Sequence, residues 1–294
     1  MTAARGCRAV PPTRTGRQVA EGGETEVCDT LSMTGEVLPG SDAETASLPP
    51  QPYSLRRSIT LHLVPGAIFT VFLLLAVPAV TSRGIDPIFV FFGGIGLVLV
   101  PIELGYLAAY ARRTTGSWSP LHAVDYRERL RGGRLALLTA GLAAWFLFGL
   151  GVSIAFLDEL LATTLFSWMP EALLQFAIVE EGDPLTSRAL VAFLLIALVC
   201  NGVLGPVTEE LYFRGHLLPR LAPYGRWAPV INTVLFGLYH FFMPWRYPAI
   251  ILGFLPITWM AWRERSVYVS IAAHVTINMI TVLLLLGAAL ATGS

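Results

Sequence analysis

The pattern of apolar and polar positions divides the chain near residue 58. Residues 1–58 are rich in Pro, Gly, Ser and Thr and show no apolar period. Such a stretch cannot bury enough apolar surface to order itself, so it is expected to be a disordered tail. Beyond it, apolar runs fall at 63–80, 88–110, 135–157, 188–206, 228–244, 248–262 and 267–288. Several approach or exceed the roughly 20 residues a helix needs to cross a bilayer core. The runs at 228–244 and 248–262 are shorter and are expected to be tilted partners that meet near Pro244. The stretch 160–179 is interrupted by Pro170, Glu171 and Gln175, and it reads as an interfacial helix. The pattern therefore predicts an all-α fold over 59–290, a polytopic transmembrane bundle of about seven to eight helices.

Composition sharpens the class. Hydrophobic residues make up 54% of the chain and charged residues 14%, with a mean hydropathy of +0.63. Charge this sparse cannot coat a globular surface, and a formal net charge of zero argues against nucleic acid as a partner. The three cysteines, Cys7, Cys28 and Cys200, are scattered and suggest neither a disulfide framework nor a thiolate zinc site.

Arginine placement gives a direction. Arg56 and Arg57 precede the first run, and Arg112, Arg113, Arg127, Arg129, Arg131 and Arg134 crowd the second connection. Arg220 and Arg226 lie in the fourth connection, Arg263 and Arg265 in the sixth. An opposite connection carries Asp158, Glu159, Glu180, Glu181 and Asp183. By the positive-inside rule this predicts a multi-pass protein of the cell membrane with seven spans, its N-terminus cytoplasmic and its C-terminus outside.

Against this apolar background the segment VTEELYFRGH, residues 207–216, stands out. A charge at membrane depth costs roughly 2.5–3.5 kcal/mol, so Glu209, Glu210 and Arg214 must face one another or a wet cavity. Glu210 and Arg214 are four apart and share a helix face, whereas Glu209 points about 100° away. Gly202, Gly205 and Pro206 are placed to kink the helix just before the acids. Phe236 and His240 repeat the four-residue step, as do His274 and Asn278. With a turn at Pro223–Gly225, Glu209 and His240 each lie roughly 20 Å from that turn and come level across a hairpin. His274, counted from Arg265, reaches a similar layer at roughly 14 Å. Glu103 is the one other acid within an apolar run, and it is expected to pair with an arginine. Taken singly, each group has a bland reading: a helix-edge salt bridge, a core histidine, an interhelical asparagine, a packing phenylalanine. Their convergence on one layer is what points to a site.

EExxxR (Glu209, Glu210, Arg214), FxxxH (Phe236, His240) and HxxxN (His274, Asn278), in this order, resemble the three motifs of the CPBP intramembrane proteases, the CAAX prenyl endopeptidase or Abi family. The resemblance covers roughly 185–290, taken as the catalytic core. It implies an endopeptidase that cuts a peptide bond of a membrane protein or a lipidated peptide substrate in or near the lipid bilayer.

Peptide hydrolysis needs an activated water, a stabiliser for the oxyanion and a proton for the leaving amine. In one scheme Glu209 is the general base, His240 helps hold the water, and His274 and Asn278 donate to the oxyanion. Glu210 is then held by Arg214, with Phe236 as structural support. In the other, His240, His274 and Glu209 bind zinc in a His₂Glu arrangement. The asparagine four residues after His274 favours a hydrogen-bonding role over ligation. Two further classes compete with a protease: an ion- or proton-coupled transporter, which would bury similar groups, and a catalytically silent scaffold or immunity protein. A transporter is expected to repeat its half-structures, and no second EExxxR-like segment occurs upstream.

Overall fold

The computed structural model describes residues 50–177 and 187–291. The tail expected over residues 1–58 lies outside the described residues up to residue 49. Residues 50–54 form an extended strap whose Tyr53 is buried and whose amide donates to the Arg220 carbonyl at 3.1 Å. The first helix, α1 (Leu55–Thr81), thus begins inside the range assigned to the tail, capped by the Ser54 hydroxyl accepting from the Arg57 amide.

The described residues are helical, with one isolated bridge between Arg127 and Ser266 and no strand among them. Helix α2 (Pro87–Thr115) is continuous through a π segment, Ile95–Leu99. It opens with Asp86 as N-cap and Pro87 in its first turn, and it closes on Gly116 at φ 77°, a left-handed cap that suits glycine. Helix α3 covers Gly132–Phe156. Helix α4 runs over 187–217 as alternating α and π segments. After a 3₁₀ stretch and a turn at Gly225 (φ 52°), helix α5 (Ala228–Tyr239) doubles back. Helix α6 (Tyr247–Glu264) and helix α7 (Val267–Ala291) complete the bundle.

Five helices among the described residues are long and apolar enough to cross a membrane, the fourth being Ala189–Tyr239 with its internal reversal. The expected bundle of about seven to eight helices is found, with α5 and α6 as its shorter members. With 12 residues, α5 is only about 18 Å long and cannot cross a 30 Å core by itself. The 18-residue α6 carries Arg263 and Glu264 in its last turn and is not among those five helices. The expected interfacial helix over 160–179 is two short helices, Asp158–Thr163 and Glu171–Leu174, within the described residues to 177. Pro170 supplies the break. One face of this pair is buried through Ala162 and Leu173, while Leu165 and Trp168 are exposed. Arg246 and Ser153 hold the buried Asp158 carboxylate at 3.0 and 2.6 Å, tying these short helices to the start of α6.

The connections rich in arginine meet at one end of the bundle. There the Glu128 amide donates to the Arg265 carbonyl, the Val267 amide to Tyr126, and the Asp125 amide to Gly215. Helix α5 is the core element. Asn232, Thr233, Phe236 and Tyr239 are all inaccessible to solvent. A Cβ at Gly66 of α1 would run into the Tyr239 carbonyl oxygen, so α1 approaches the end of α5 backbone to side-chain root, a distance that glycine permits.

Candidate functional site

The two acids of α4 sit where an α segment, Gly205–Glu209, passes into a π segment, Glu210–Leu217. Pro206 lacks an amide hydrogen and cannot close the ordinary helical bond. The upstream residues 197–204 take the wider π turn instead. The kink expected at Gly202, Gly205 and Pro206 is realised as this π segment.

Glu210 and Arg214 are both fully buried and pair at 3.1 Å through Oε1 and Nη1. The guanidinium also donates from Nε and Nη2 to the Thr258 hydroxyl of α6, at 3.2 and 3.1 Å. Its central carbon lies 4.0 Å from the Phe236 ring centroid and 5.0 Å from that of Phe254, two cation–π contacts. Phe236 is therefore more than packing, because it covers the charge that Glu210 neutralises.

The same Glu210 oxygen accepts from Nδ1 of His274 on α7 at 2.9 Å. An ionised Glu210 has no proton to give, so Nδ1 of His274 carries the hydrogen and Nε2 faces away from it. That Nε2 looks toward Oε2 of Glu209 across 3.9 Å. Glu209 keeps some access, with its side chain 12% exposed. Its other oxygen, Oε1, lies 3.3 Å from the Tyr239 hydroxyl.

His240 is expected on a helical face with Phe236, but α5 ends at Tyr239 and His240 is its cap, at φ −79° and ψ 50°. The helix end frees the Phe236 carbonyl, which accepts from His240 Nδ1 at 2.9 Å. This fixes the tautomer, leaving Nε2 as a lone-pair acceptor. The imidazole packs edge-on against Phe236, 5.0 Å between centroids, and Phe236 also lies edge-on to His274 at 6.4 Å. Both histidines are thus seated on one aromatic ring. Across the hairpin Phe213 packs edge-on against Phe236 and Tyr239, and Glu209 comes beside Tyr239, one residue from the expected level at His240.

Asn278 lies on α7 one turn from His274, but its Nδ2 donates to the Asn201 carbonyl of α4 at 2.8 Å, with the Asn201 side-chain oxygen at 3.4 Å. The structure therefore engages Asn278 in the α4–α7 contact. Glu103, expected to pair with an arginine, has no arginine partner among the described residues. Its Oε1 lies 3.1 Å from the Tyr239 hydroxyl. Sequence reasoning passed over Tyr239, although a phenol one residue before His240 in an otherwise apolar helix is a visible polar tip.

Among the described residues no three His, Cys, Asp or Glu side chains are grouped to hold a metal ion. Of the expected donor set His240, His274 and Glu209, each histidine has Nδ1 engaged with the protein and only Nε2 left for another partner.

Residues 191–280 match the family model described as Type II CAAX prenyl endopeptidase Rce1-like, a stretch that contains all three motifs. No curated protein and no solved structure matches the chain.

Proposed function

We propose that this chain, whose residues 191–280 belong to the Type II CAAX prenyl endopeptidase Rce1-like family, hydrolyses a peptide bond of a membrane-associated substrate with a water activated by Glu209 and His240. The observation that carries the reading is the arrangement around Glu209. One carboxylate oxygen is held by Tyr239, and the other faces an imidazole that a second carboxylate orients.

The water sits between Glu209 and His240. Glu209 accepts its proton while His240 Nε2, left free by the bond from Nδ1 to Phe236, accepts its other hydrogen. The water oxygen attacks the scissile carbonyl carbon, and the developing oxyanion points at His274 Nε2. Since His274 Nδ1 already donates to Glu210, Nε2 donates only from the doubly protonated ring. Collapse of the tetrahedral intermediate breaks the C–N bond, and Glu209 returns its proton to the leaving amine. Arg214 neutralises Glu210 and so keeps it an acceptor for His274. Asn278, committed to Asn201, holds α7 in register with α4 and leaves the oxyanion to His274. No step runs through a metal.

By the positive-inside rule the arginine-rich end and the N-terminus face the cytoplasm, with the protein in the cell membrane. The activity is tested by profiling N- and C-terminal peptides of membranes that carry either the wild type or Glu209→Gln. Termini that appear only with the wild type are expected. The same termini at the same abundance with both proteins would refute the assignment.

A further inference from the structure

Outside the three motifs, one buried group reaches the candidate centre. Glu103 on α2 is fully buried, and its Oε2 has no hydrogen-bond partner. Its Oε1 is 3.1 Å from the Tyr239 hydroxyl, which is itself 3.3 Å from Glu209 Oε1. One phenol stands between two carboxyl groups, and a phenol has a single proton to donate. It can satisfy one of the two oxygens. The other must donate to the phenol oxygen or be held against it lone pair to lone pair.

The surroundings decide which carboxyl donates. Glu209 has His274 Nε2 at 3.9 Å and retains some access. Glu103 has neither, and an unpaired buried carboxylate is among the most costly groups a protein interior can hold. We infer that Glu103 is a positioning residue of the hydrolytic centre: its carboxylic O–H donates to the Tyr239 oxygen, and the Tyr239 O–H in turn donates to Glu209. The chain of bonds has one direction, and it leaves Glu209 as the only charged member of the three. It also stops the Glu209 carboxylate from turning toward Glu103 and away from the water. The inference rests on the hydrolase reading for its consequence, although the bond direction stands apart from it.

A second observation points the same way. The helices that carry the two acids are built alike. In α2 the π segment Ile95–Leu99 precedes Pro101 and Glu103, and in α4 the π segment Ala197–Leu204 precedes Pro206 and Glu209. The two π segments interlock: a Cβ at Gly205 would meet Ile95 Cγ2 at 2.8 Å, and a Cβ at Gly96 would meet Cys200 Sγ at 2.8 Å. Each widened turn re-aims the acid that follows it, and π turns of this kind recur at functional sites. Two helices locked together at their π turns deliver two acids to the same phenol.

The test is infrared spectroscopy on the purified full chain at neutral pH, read at the carbonyl stretch of a protonated carboxyl group. The expected result is a band in the wild type that is lost in Glu103→Gln, shifted in Tyr239→Phe, and kept in Glu209→Gln. A wild type without the band, or a band lost in Glu209→Gln and kept in Glu103→Gln, overturns the inference. Tyr239→Phe conserves shape and guards against loss of fold at Glu103. Kinetics on a quenched farnesylated CAAX-type peptide add the functional arm. Glu103→Gln, whose amide N–H still donates, should stay within about three-fold of the wild-type kcat. Tyr239→Phe should lose about ten-fold or more in kcat with KM within about two-fold, the effect of one lost hydrogen bond to a charged group, and Glu103→Met, which removes the donor to the phenol oxygen, should lose more than Glu103→Gln. An equal loss for Gln and Met overturns the directional role. A band that behaves as expected in a protein whose Glu209→Gln variant leaves every membrane terminus unchanged would sink the hydrolase reading and leave the bond direction standing.

Discussion

Arg214 uses all three of its guanidinium nitrogens. Nη1 goes to Glu210, Nε and Nη2 go to Thr258, and the Phe236 and Phe254 rings lie against the guanidinium. A lysine at this place would keep the charge but lose the fork and the stacking, so the exchange is not conservative. Arg214→Met leaves the buried Glu210 without its arginine, which should cost about 3–5 kcal/mol, seen as a lower thermal midpoint in detergent. Arg214→Lys should fall between. The adjacent acids should separate by readout. Glu209→Gln should lower kcat by about 10²–10⁴ with an unchanged thermal midpoint, as expected for loss of a general base. Glu210→Gln should lower both, because it leaves the buried Arg214 charge uncompensated and gives His274 Nδ1 only a neutral acceptor. Equal stability losses for the two variants would contradict this division of roles.

At the scale of elements, the site depends on helices that stop or widen at set places. α5 ends at Tyr239, which frees the Phe236 carbonyl to fix His240, and α4 takes π turns around its acids. The end of α5 is set from outside by α1, whose Gly66 lies against the Tyr239 carbonyl. Gly66→Ala adds one methyl group there, and backbone rather than a flexible side chain must yield. The expected cost is about 1–3 kcal/mol in stability. Because Tyr239 and His240 move together, cleavage should fall by more than that stability loss explains. Activity measured well below the thermal midpoint separates the two effects; a Gly66→Ala protein with wild-type turnover would show that the α1 contact does not position the site.

For the whole molecule, the arginine-rich connections gather at one end, joined by the backbone bonds between 125–128 and the turns at 215 and 265–267. In the proposed orientation, cysteines introduced at Arg129 or Arg226 lie on the cytoplasmic side. They should be protected from impermeant thiol reagents in intact cells and labelled in inverted vesicles, in a background without native cysteines. Labelling of both in intact cells would invert the topology. The metal-free scheme carries its own check. Purified protein should contain zinc well below one equivalent, and a strong chelator should leave turnover unchanged; stoichiometric zinc with chelator-sensitive turnover would return His240 and His274 to ligation.

The sequence by itself determined the helical membrane class, the reversal near Gly225 and the motif positions that carry Glu209, Glu210, Arg214, His240 and His274. Each of these is written in local pattern: apolar run length, turn composition and four-residue spacing. It also foretold the Glu210–Arg214 pair, since both residues lie on one helix face. Only the tertiary structure decided what each polar group meets across helices. It gave Asn278 to Asn201, gave Glu103 to Tyr239 in place of an arginine, and ended α5 before His240. These outcomes depend on interhelical distances of a few ångströms and on π turns that shift helical phase, and residue spacing along one chain carries neither.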